Sequence, residues 1–359
     1  MLCTSKCDYD IIVIGAGPAG ANFARLADSH RYRILLVDGS HGRDKVCGGL
    51  LSPDAQDTLA RYDMNLPRDV LATPQLFSVR TVDLGTGLTR YYRRAYINVD
   101  RRRLDDFFRS QIPDTVQRTV GRCETITRTE GGFSLLVSGQ TLTCRYLVGA
   151  DGASSVVRRS LFAEHPIRRY TAIQQWFCAG EINPYYSCLF DSATSSGCSW
   201  IFFKDGALIF GGAFEPQGAR EAFEAQKRKL IERGLVTEEL VASPIRTEAC
   251  TVLRPRPGHG VLHGGDGCYL IGEAAGLISP SSFEGISYAL GSGEALADAF
   301  SRADSADAVL HAYRRGTGML THRIALRYLK RPFMYHPTLR TALLKSGIGA
   351  LHLRKGDPT

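Results

Sequence analysis

The sequence predicts an α/β fold in which a domain on a parallel sheet is interleaved with a domain on an antiparallel sheet, followed by C-terminal helices. Three observations predict it. A β-branched run at 9–14 passes through a glycine-rich turn into a small-residue helix and a second apolar run, which is β-α-β within about 30 residues. Short alternating stretches at 75–97 and 170–214 are separated by Ser, Thr and Gly, as in an antiparallel sheet. Beyond residue 308 the pattern is mainly helical. A length of 359 residues suits roughly two domains. The expected division is a discontinuous first domain at 1–74, 98–165 and 265–307, a second at 75–97 and 166–264, and a basic helical segment at 308–359.

Each element has a local reason. Residues 9–14 form a continuous apolar run ended by Gly15, the pattern of a buried parallel strand. Ala21 to Leu26 is helical, and Ile34 to Val37 is the second strand, ending at Asp38. A glycine-rich loop follows at 47–49, then a helix from Ser52-Pro53-Asp54. Arg101 to Ser110 is helical, with Leu104, Phe107 and Phe108 on one side. Residues 119–149 read as a β-meander turning at Gly131-Gly132. Strands at 170–178, 184–191 and 198–214 form the second sheet, broken by a turn at 192–197. Residues 217–240 are helical; Cys268 to Gly272 is a strand before a second glycine-rich loop and a helix to about 300. The segment 308–356 is helical with Pro breaks at 332 and 337.

Composition removes several function classes. Hydrophobic residues make up 44% and charged residues 22%, with 37 Gly and 15 Pro, so a disordered or collagen-like chain is excluded. No apolar run approaches the roughly 20 residues of a membrane-spanning helix. The start is too quickly broken by glycine for a signal peptide, which points to the cytoplasm. Ten cysteines are scattered without a Cys-x-x-Cys pair or zinc-finger spacing, so no metal site is expected and the thiols are expected to be free. The net charge is +8, from 44 Lys and Arg against 36 Asp and Glu. Between Asp307 and Asp357 there are ten basic residues and no acid, so the positive excess lies in the C-terminal segment.

The motifs carry the chemistry. Gly15, Gly17 and Gly20 form Gly-x-Gly-x-x-Gly, with Pro18 and Ala19 between the last two, directly after a strand and before a helix. Gly15 permits the tight turn, Gly17 lets backbone approach a pyrophosphate, and Gly20 allows close helix packing. The helix start supplies N–H groups and positive dipole, and Asp38 fits an acceptor for ribose hydroxyls. This is the fingerprint of a Rossmann-type domain.

Two more loops refine it. Val148 to Arg158 is a strand running into the Asp151-Gly152 turn and a helix. Gly272, Glu273 and Gly276 form a third loop, followed by Gly285-Ile286 at a helix start. Loops at about 15, 151 and 273 resemble those of the single-Rossmann flavoproteins that include the aromatic hydroxylases. The resemblance implies a Rossmann-type FAD-binding domain, with FAD held by these loops; Glu273 stands where that group has Asp. Arg101 resembles the arginine of its flavin-contacting helix, against a plain reading as part of a solvated basic face.

The Cys47-Gly48-Gly49 loop and the run from Gly272 to Gly293 resemble the geranylgeranyl reductase family, specifically its bacterial reductase-like branch. Cys198-Ser199-Trp200-Ile201-Phe202-Phe203 is similar to that family's Tyr-x-Trp-x-Phe-Pro motif, with Cys for Tyr and Phe for Pro. The resemblance covers most of 9–300. It implies an oxidoreductase reducing carbon–carbon double bonds of an isoprenoid or other apolar substrate, with Cys47 beside the flavin as candidate acid. A monooxygenase hydroxylating or epoxidising an apolar substrate is the alternative, and a membrane-surface flavin or lipid-binding protein without turnover is a third. Cys47 also reads as a packing residue, and Trp176, Trp200 and Phe202 read as pocket wall or core. The absence of a second dinucleotide fingerprint leaves the reductant open between NADPH, NADH and an electron-donor protein. The basic segment, with Leu, Tyr, Phe and Met between its charges, reads as a solvated face or as a surface for anionic membrane on the cytoplasmic side. No nucleic-acid motif accompanies it.

Overall fold

A computed structural model describes residues 7–39, 46–180 and 185–352; Lys45, Arg354 and Lys355 lie outside the described residues. The chain runs β1 (Tyr9–Ile14), α1 (Pro18–Leu26), β2 (Ile34–Asp38), β3 (Leu50–Leu51), α2 (Pro53–Arg61), β4 (Leu76–Asp83), β5 (Thr89–Asn98) and α3 (Arg101–Ser110). Next come β6 (Gln117–Val120), β7 (Cys123–Thr129), β8 (Gly132–Val137), β9 (Gln140–Gly149), α4 (Val156–Leu161), β10 (Arg168–Cys178), β11 (Ser187–Phe190), β12 (Ser199–Lys204) and β13 (Ala207–Phe214). The remainder is α5 (Ala219–Glu232), α6 (Glu238–Val241), β14 (Arg246–Arg254), β15 (Gly264–Gly265), β16 (Cys268–Leu270), α7 (Ile286–Arg302), α8 (Ala306–Gly316), α9 (Gly318–Leu329), α10 (Arg331–Tyr335) and α11 (Pro337–Ser346).

The chain divides into two compact units, one within 1–44, 102–168 and 253–326, the other within 45–101, 169–252 and 327–359. Several boundaries differ from the sequence expectation, and residues 98–101, with Arg101, go with the second unit while 166–168 go with the first. Residues 46–74 go with the second unit because β3 pairs antiparallel with β5, Leu50 opposite Asn98 and Leu51 opposite Ile97. Residues 253–264 go with the first unit, and the C-terminal segment is split between the two after Leu326.

In the first unit the sheet order is β15-β16-β9-β1-β2-β6, with the β7–β8 hairpin joined to β9. β16, β9, β1, β2 and β6 are mutually parallel, so the chain leaves their C-terminal ends at one edge. Ile11, Ile12 and Val13 of β1 are fully buried, which is why this strand reads as an unbroken apolar run. α1 lies close against α7: a Cβ on Gly293 would stand 2.7 Å from the Ala19 carbonyl oxygen.

In the second unit the order is β14-β10-β13-β12-β11-β4-β5-β3. Alternation on β12 sorts its residues between two layers. Ile201 and Phe203 enter a core shared with Phe210, Phe223 and Leu230, where α5 covers the sheet; the Phe210 and Phe223 rings stack at 4.7 Å. Phe202 enters a separate cluster with Leu76, Val79, Tyr96 and Ile209. Pro332 and Pro337 each sit in a first helical turn, where a missing N–H costs nothing, so they start α10 and α11. Among the described residues no helix is long and apolar enough to cross a membrane.

Not every residue of the basic segment faces solvent. Arg340 Nε donates to Asp83 Oδ2 at 2.9 Å with both side chains buried, and its NH1 donates to the Met334 carbonyl at 3.0 Å. Arg327 pairs with Asp54. Burial alone would raise the Asp83 carboxyl, but the hydrogen bond and charge of Arg340, with the N–H groups of Thr86 and Gly85, hold it below the ordinary carboxylate range. The carboxylate's contribution to stability is therefore complete above the unfolded-state value of about 3.9 and is lost as pH falls through the lower folded value. Arg340→Met should strand a buried carboxylate and cost about 3–5 kcal/mol. Thermal melts at pH 7 would show it as a lowered midpoint, and a midpoint equal to the wild type would refute the role given to this pair.

Candidate functional site

In the first unit four sequence-predicted segments meet at the C-terminal edge of the parallel strands. Gly15 follows β1, Asp38 ends β2, Asp151 follows β9 and Gly272 follows β16. Adjacent strands exchange main-chain bonds at that edge: Ala150 N donates to Ile14 O at 2.8 Å, and Ile271 N donates to Gly149 O at 2.9 Å. A crevice outside the carboxyl ends of parallel strands is where dinucleotides bind in such sheets.

The first loop fits a pyrophosphate by its glycines. A Cβ on Gly20 would lie 1.9 Å from the Gly15 carbonyl oxygen, and one on Gly15 would lie 2.5 Å from the Ala150 oxygen. Gly17 is different, with nothing within 4 Å of where its Cβ would be. Its absent side chain leaves open space at the start of α1, whose N-cap has no side-chain hydrogen bond and whose first two residues are Pro18 and Ala19. The unspent N–H groups and the dipole there suit an anion. Asp38 is a quarter exposed at the end of β2, 3.8 Å from the Arg109 guanidinium, which also donates to the Ala16 carbonyl at 3.5 Å. Sequence reasoning missed Arg109; its only signal was a basic residue in the last turn of α3.

The second and third loops are locked together from beneath. Asp151 Oδ2 accepts from Val156 N at 2.6 Å and Val157 N at 3.3 Å, tying the Asp151-Gly152 turn to α4. Asp151 Oδ1 is buried and has no hydrogen-bond partner. Burial pushes this carboxyl above the ordinary range, against hydrogen bonds from Ser155, Val157 and Val156. An orphaned acceptor under the loop is what a polar ligand would satisfy. Buried Arg158, quoted in the motif but given no role, joins this turn to the third loop by donating to Ala274 O at 3.0 Å and Gly260 O at 3.3 Å. Glu273 Oε1 accepts from Leu253 N at 2.9 Å, so that oxygen serves the backbone. Gly272 N donates to Ser292 Oγ at 2.8 Å, and the Gly276 conformation is left-handed. Gly285 is the N-cap of α7 and has no side-chain cap, so Ile286 begins a helix with free N–H groups.

In the second unit the Cys47-Gly48-Gly49 turn lies on β12. A Cβ on Gly48 would meet the Phe202 ring at 3.0 Å. Gly49 N donates to Cys47 Sγ at 3.5 Å, and Cys47 is half-buried. Lys204 is buried and its Nζ donates to Gly48 O at 2.7 Å and Val99 O at 2.6 Å. Arg101 begins α3 two residues after Val99. Trp176 and Phe202 both face Ile209 across β13, and Trp200 faces Gly211, so the three aromatic residues share one sheet face. Gly211 is required there, since a Cβ would strike the Trp200 indole at 2.6 Å. Both indoles are satisfied at their polar edge: Trp176 Nε1 donates to Glu248 Oε2 at 3.0 Å and Trp200 Nε1 to Gln174 Oε1 at 3.3 Å. Glu248 also pairs with Arg246, and neither was read from the sequence. The face is apolar in its middle and polar along the Glu248 side. Among the described residues no group of three or more His, Cys, Asp or Glu is placed to hold a metal.

Comparison with known proteins agrees with this architecture. Residues 10–180 match the family model described as lycopene cyclase protein. The fold is similar to a geranylgeranyl bacteriochlorophyll reductase-like protein from Thermoplasma acidophilum, with TM-score 0.76 and 18% identity over 93% of this chain and 90% of that one. It is similar also to PqsL of Pseudomonas aeruginosa, described as a probable FAD-dependent monooxygenase, with TM-score 0.69 and 19% identity over 94% and 99%. The predicted α/β architecture, two sheets followed by C-terminal helices, is therefore the fold shared with these structures. Protein CbrA of Escherichia coli O6:H1 is 40% identical over 98% of this chain and 97% of its own, and CbrA of Shigella flexneri serotype 5b is 40% identical over the same shares. At that identity and coverage the chain belongs to the CbrA family.

Proposed function

We propose that this protein is a FAD-dependent oxidoreductase that reduces carbon–carbon double bonds of an isoprenoid or other apolar substrate. The observation that carries the proposal is the seating of the Cys47-Gly48-Gly49 turn on the aromatic face of Trp176, Trp200 and Phe202. That face offers apolar area for a hydrocarbon chain, and the Cys47 thiol in the turn is the candidate proton donor. The lycopene cyclase match over 10–180 supports an isoprenoid substrate.

FAD, when bound and reduced, supplies hydride chemistry. The chain's own residues do the rest. Gly15, Gly17, Pro18, Ala19 and Gly20 bind pyrophosphate at the start of α1, and Asp38 accepts from ribose hydroxyls. The Asp151-Gly152 turn and the Gly272, Glu273 and Gly276 loop hold the central part of the cofactor, with Asp151 Oδ1 as a buried acceptor. Gly285 and Ile286 present helix N–H groups to an electron-rich edge. Cys47 gives its proton to the alkene carbon adjacent to the one that takes hydride. NADPH or NADH is the transient reductant, or a partner protein delivers the electrons.

Gly17→Val tests the cofactor site cleanly. A Cβ there has nothing within 4 Å, so the fold should be kept while the added side chain fills the space at the helix start. The purified variant should lose its flavin absorbance near 450 nm while keeping its circular dichroism; full absorbance would disprove the loop assignment. For the reaction, the protein should be incubated without oxygen with NADPH and a geranylgeranyl lipid. A product heavier by two hydrogens supports reduction, whereas an oxygenated product formed only in air transfers the protein to the monooxygenases.

An apolar substrate of this length resides in membrane, and the C-terminal helices bear a matching surface. Leu329, Phe333, Leu339, Ile348 and Leu351 are exposed there beside Lys330 and Lys345. Basic side chains near anionic lipid contribute about 1 kcal/mol each. Sedimentation with vesicles should show binding to phosphatidylserine over phosphatidylcholine and loss of binding as salt rises. Equal binding to both would remove the membrane role and leave the reductase proposal intact.

A further inference from the structure

Lys204 is one of the few buried cations among the described residues, and the roles given above do not use it. It lies on β12 in alternation with Trp200 and Phe202, so it is the third residue of the aromatic face. A lysine ending an apolar row with only 5% exposure demands a reason. Its ammonium is held by two main-chain carbonyls, Gly48 O at 2.7 Å and Val99 O at 2.6 Å. The contact is tight: a Cβ on Gly49 would come within 2.4 Å of Nζ and 2.3 Å of Val99 O, so only glycine fits over the charge. The titratable groups that act on the ammonium are Cys47 in the turn, Asp100 and Arg101 at the start of α3, and Asp205 after β12. Asp205 is engaged by Thr73 through both its N–H, at 2.8 Å, and its hydroxyl, at 3.0 Å. Burial pushes the lysine down to about 8, while Cys47, Asp100 and Asp205 support its charge and Arg101 opposes it.

We infer that Lys204 is a positioning residue that clamps the Cys47-Gly48-Gly49 turn onto β12 and, through its positive charge, makes the Cys47 thiol more acidic. A cation beside a thiol favours the thiolate. A thiol whose ionisation lies near the working pH is the better general acid, because it releases its proton readily and regains it from water. The effect is present only while Lys204 is protonated and fades as pH rises past about 8. The catalytic meaning rests on the role proposed for Cys47, but the electrostatic coupling does not, because thiol reactivity needs neither FAD nor substrate.

The experiment is the pH dependence of Cys47 alkylation by iodoacetamide in the full-length protein, followed on the Cys47 peptide by mass spectrometry. The wild-type midpoint should fall at least one pH unit below the free-cysteine value of about 8.5. Lys204→Met and Lys204→Gln should raise that midpoint by a unit or more, and Lys204→Arg, which keeps the charge, should stay near the wild type. A lysine that merely held the loop would change accessibility and rate without moving the midpoint. An unmoved midpoint in either neutral variant overturns the inference. So does a wild-type midpoint at or above that of free cysteine, a measurement that needs no variant to fold. Either result leaves the alkene-reduction test standing on its own evidence.

Discussion

The close approach of α1 to the end of β1 governs the first unit. With the Cβ position of Gly20 only 1.9 Å from the Gly15 carbonyl oxygen, any side chain there would lift the helix off the strand. The same approach places Ala19 against α7, where Gly293 admits its carbonyl, and against Gly272, whose Cβ would stand 2.8 Å from the Ala19 methyl. The first loop, α7 and the third loop, distant in sequence, are thus registered by close approach at glycine, without long side chains to set the spacing. Backbone contact is stiff, since close-packed main chain has no rotamers to relax. The start of α1 gains from this, because its N–H groups are held in place with no protein side chain to occupy them.

The second unit is ordered by the period of a strand. On β12, Ile201 and Phe203 build the core under α5, while Trp200, Phe202 and Lys204 build the opposite face. One residue of slippage would exchange the two sets, placing Lys204 toward Phe223 and Leu230. The hydrophobic core and the candidate substrate face are therefore fixed by the same register. Glycine completes the arrangement at Gly211, where the Trp200 indole lies over the strand. Stability and site geometry here share one cause, so a change to either side of β12 acts on both.

How much of this was legible follows from which forces act locally. The β-α-β start, α3 at Arg101–Ser110 and the antiparallel strands of the meander read at 119–149 were readable because apolar period and glycine position determine them within a short window, although Gln117–Val120 pairs parallel with β2 instead of joining the meander. β14 was not, since Arg246 to Thr251 carries no regular apolar alternation, and its pairing beside β10 supplies what its composition lacks. The placement of residues 46–74 also escaped, because two residues of pairing, Leu50 and Leu51 with β5, decide it. In the site, glycines and acids with a role at the backbone could be named. Arg109, Arg158, Lys204 and Glu248 could not, because each is defined by carbonyls or indoles far away in sequence. Glu273 shows the same limit in reverse: the motif identifies the position, but only the fold reveals that one oxygen serves Leu253.

The charge of the C-terminal segment makes the last distinction. Counted along the chain, its basic residues form one block, yet the fold assigns them different work. Arg340 is sealed against Asp83, and Arg327 reaches Asp54, so these charges hold the segment to the second unit. They leave Lys330 and Lys345 exposed among Leu329, Phe333 and Leu339. A buried guanidinium with a matched carboxylate is screened far less by salt than an exposed lysine beside apolar side chains. The anchoring charges and the surface charges are consequently separable: salt can screen what the helices present without loosening what attaches them.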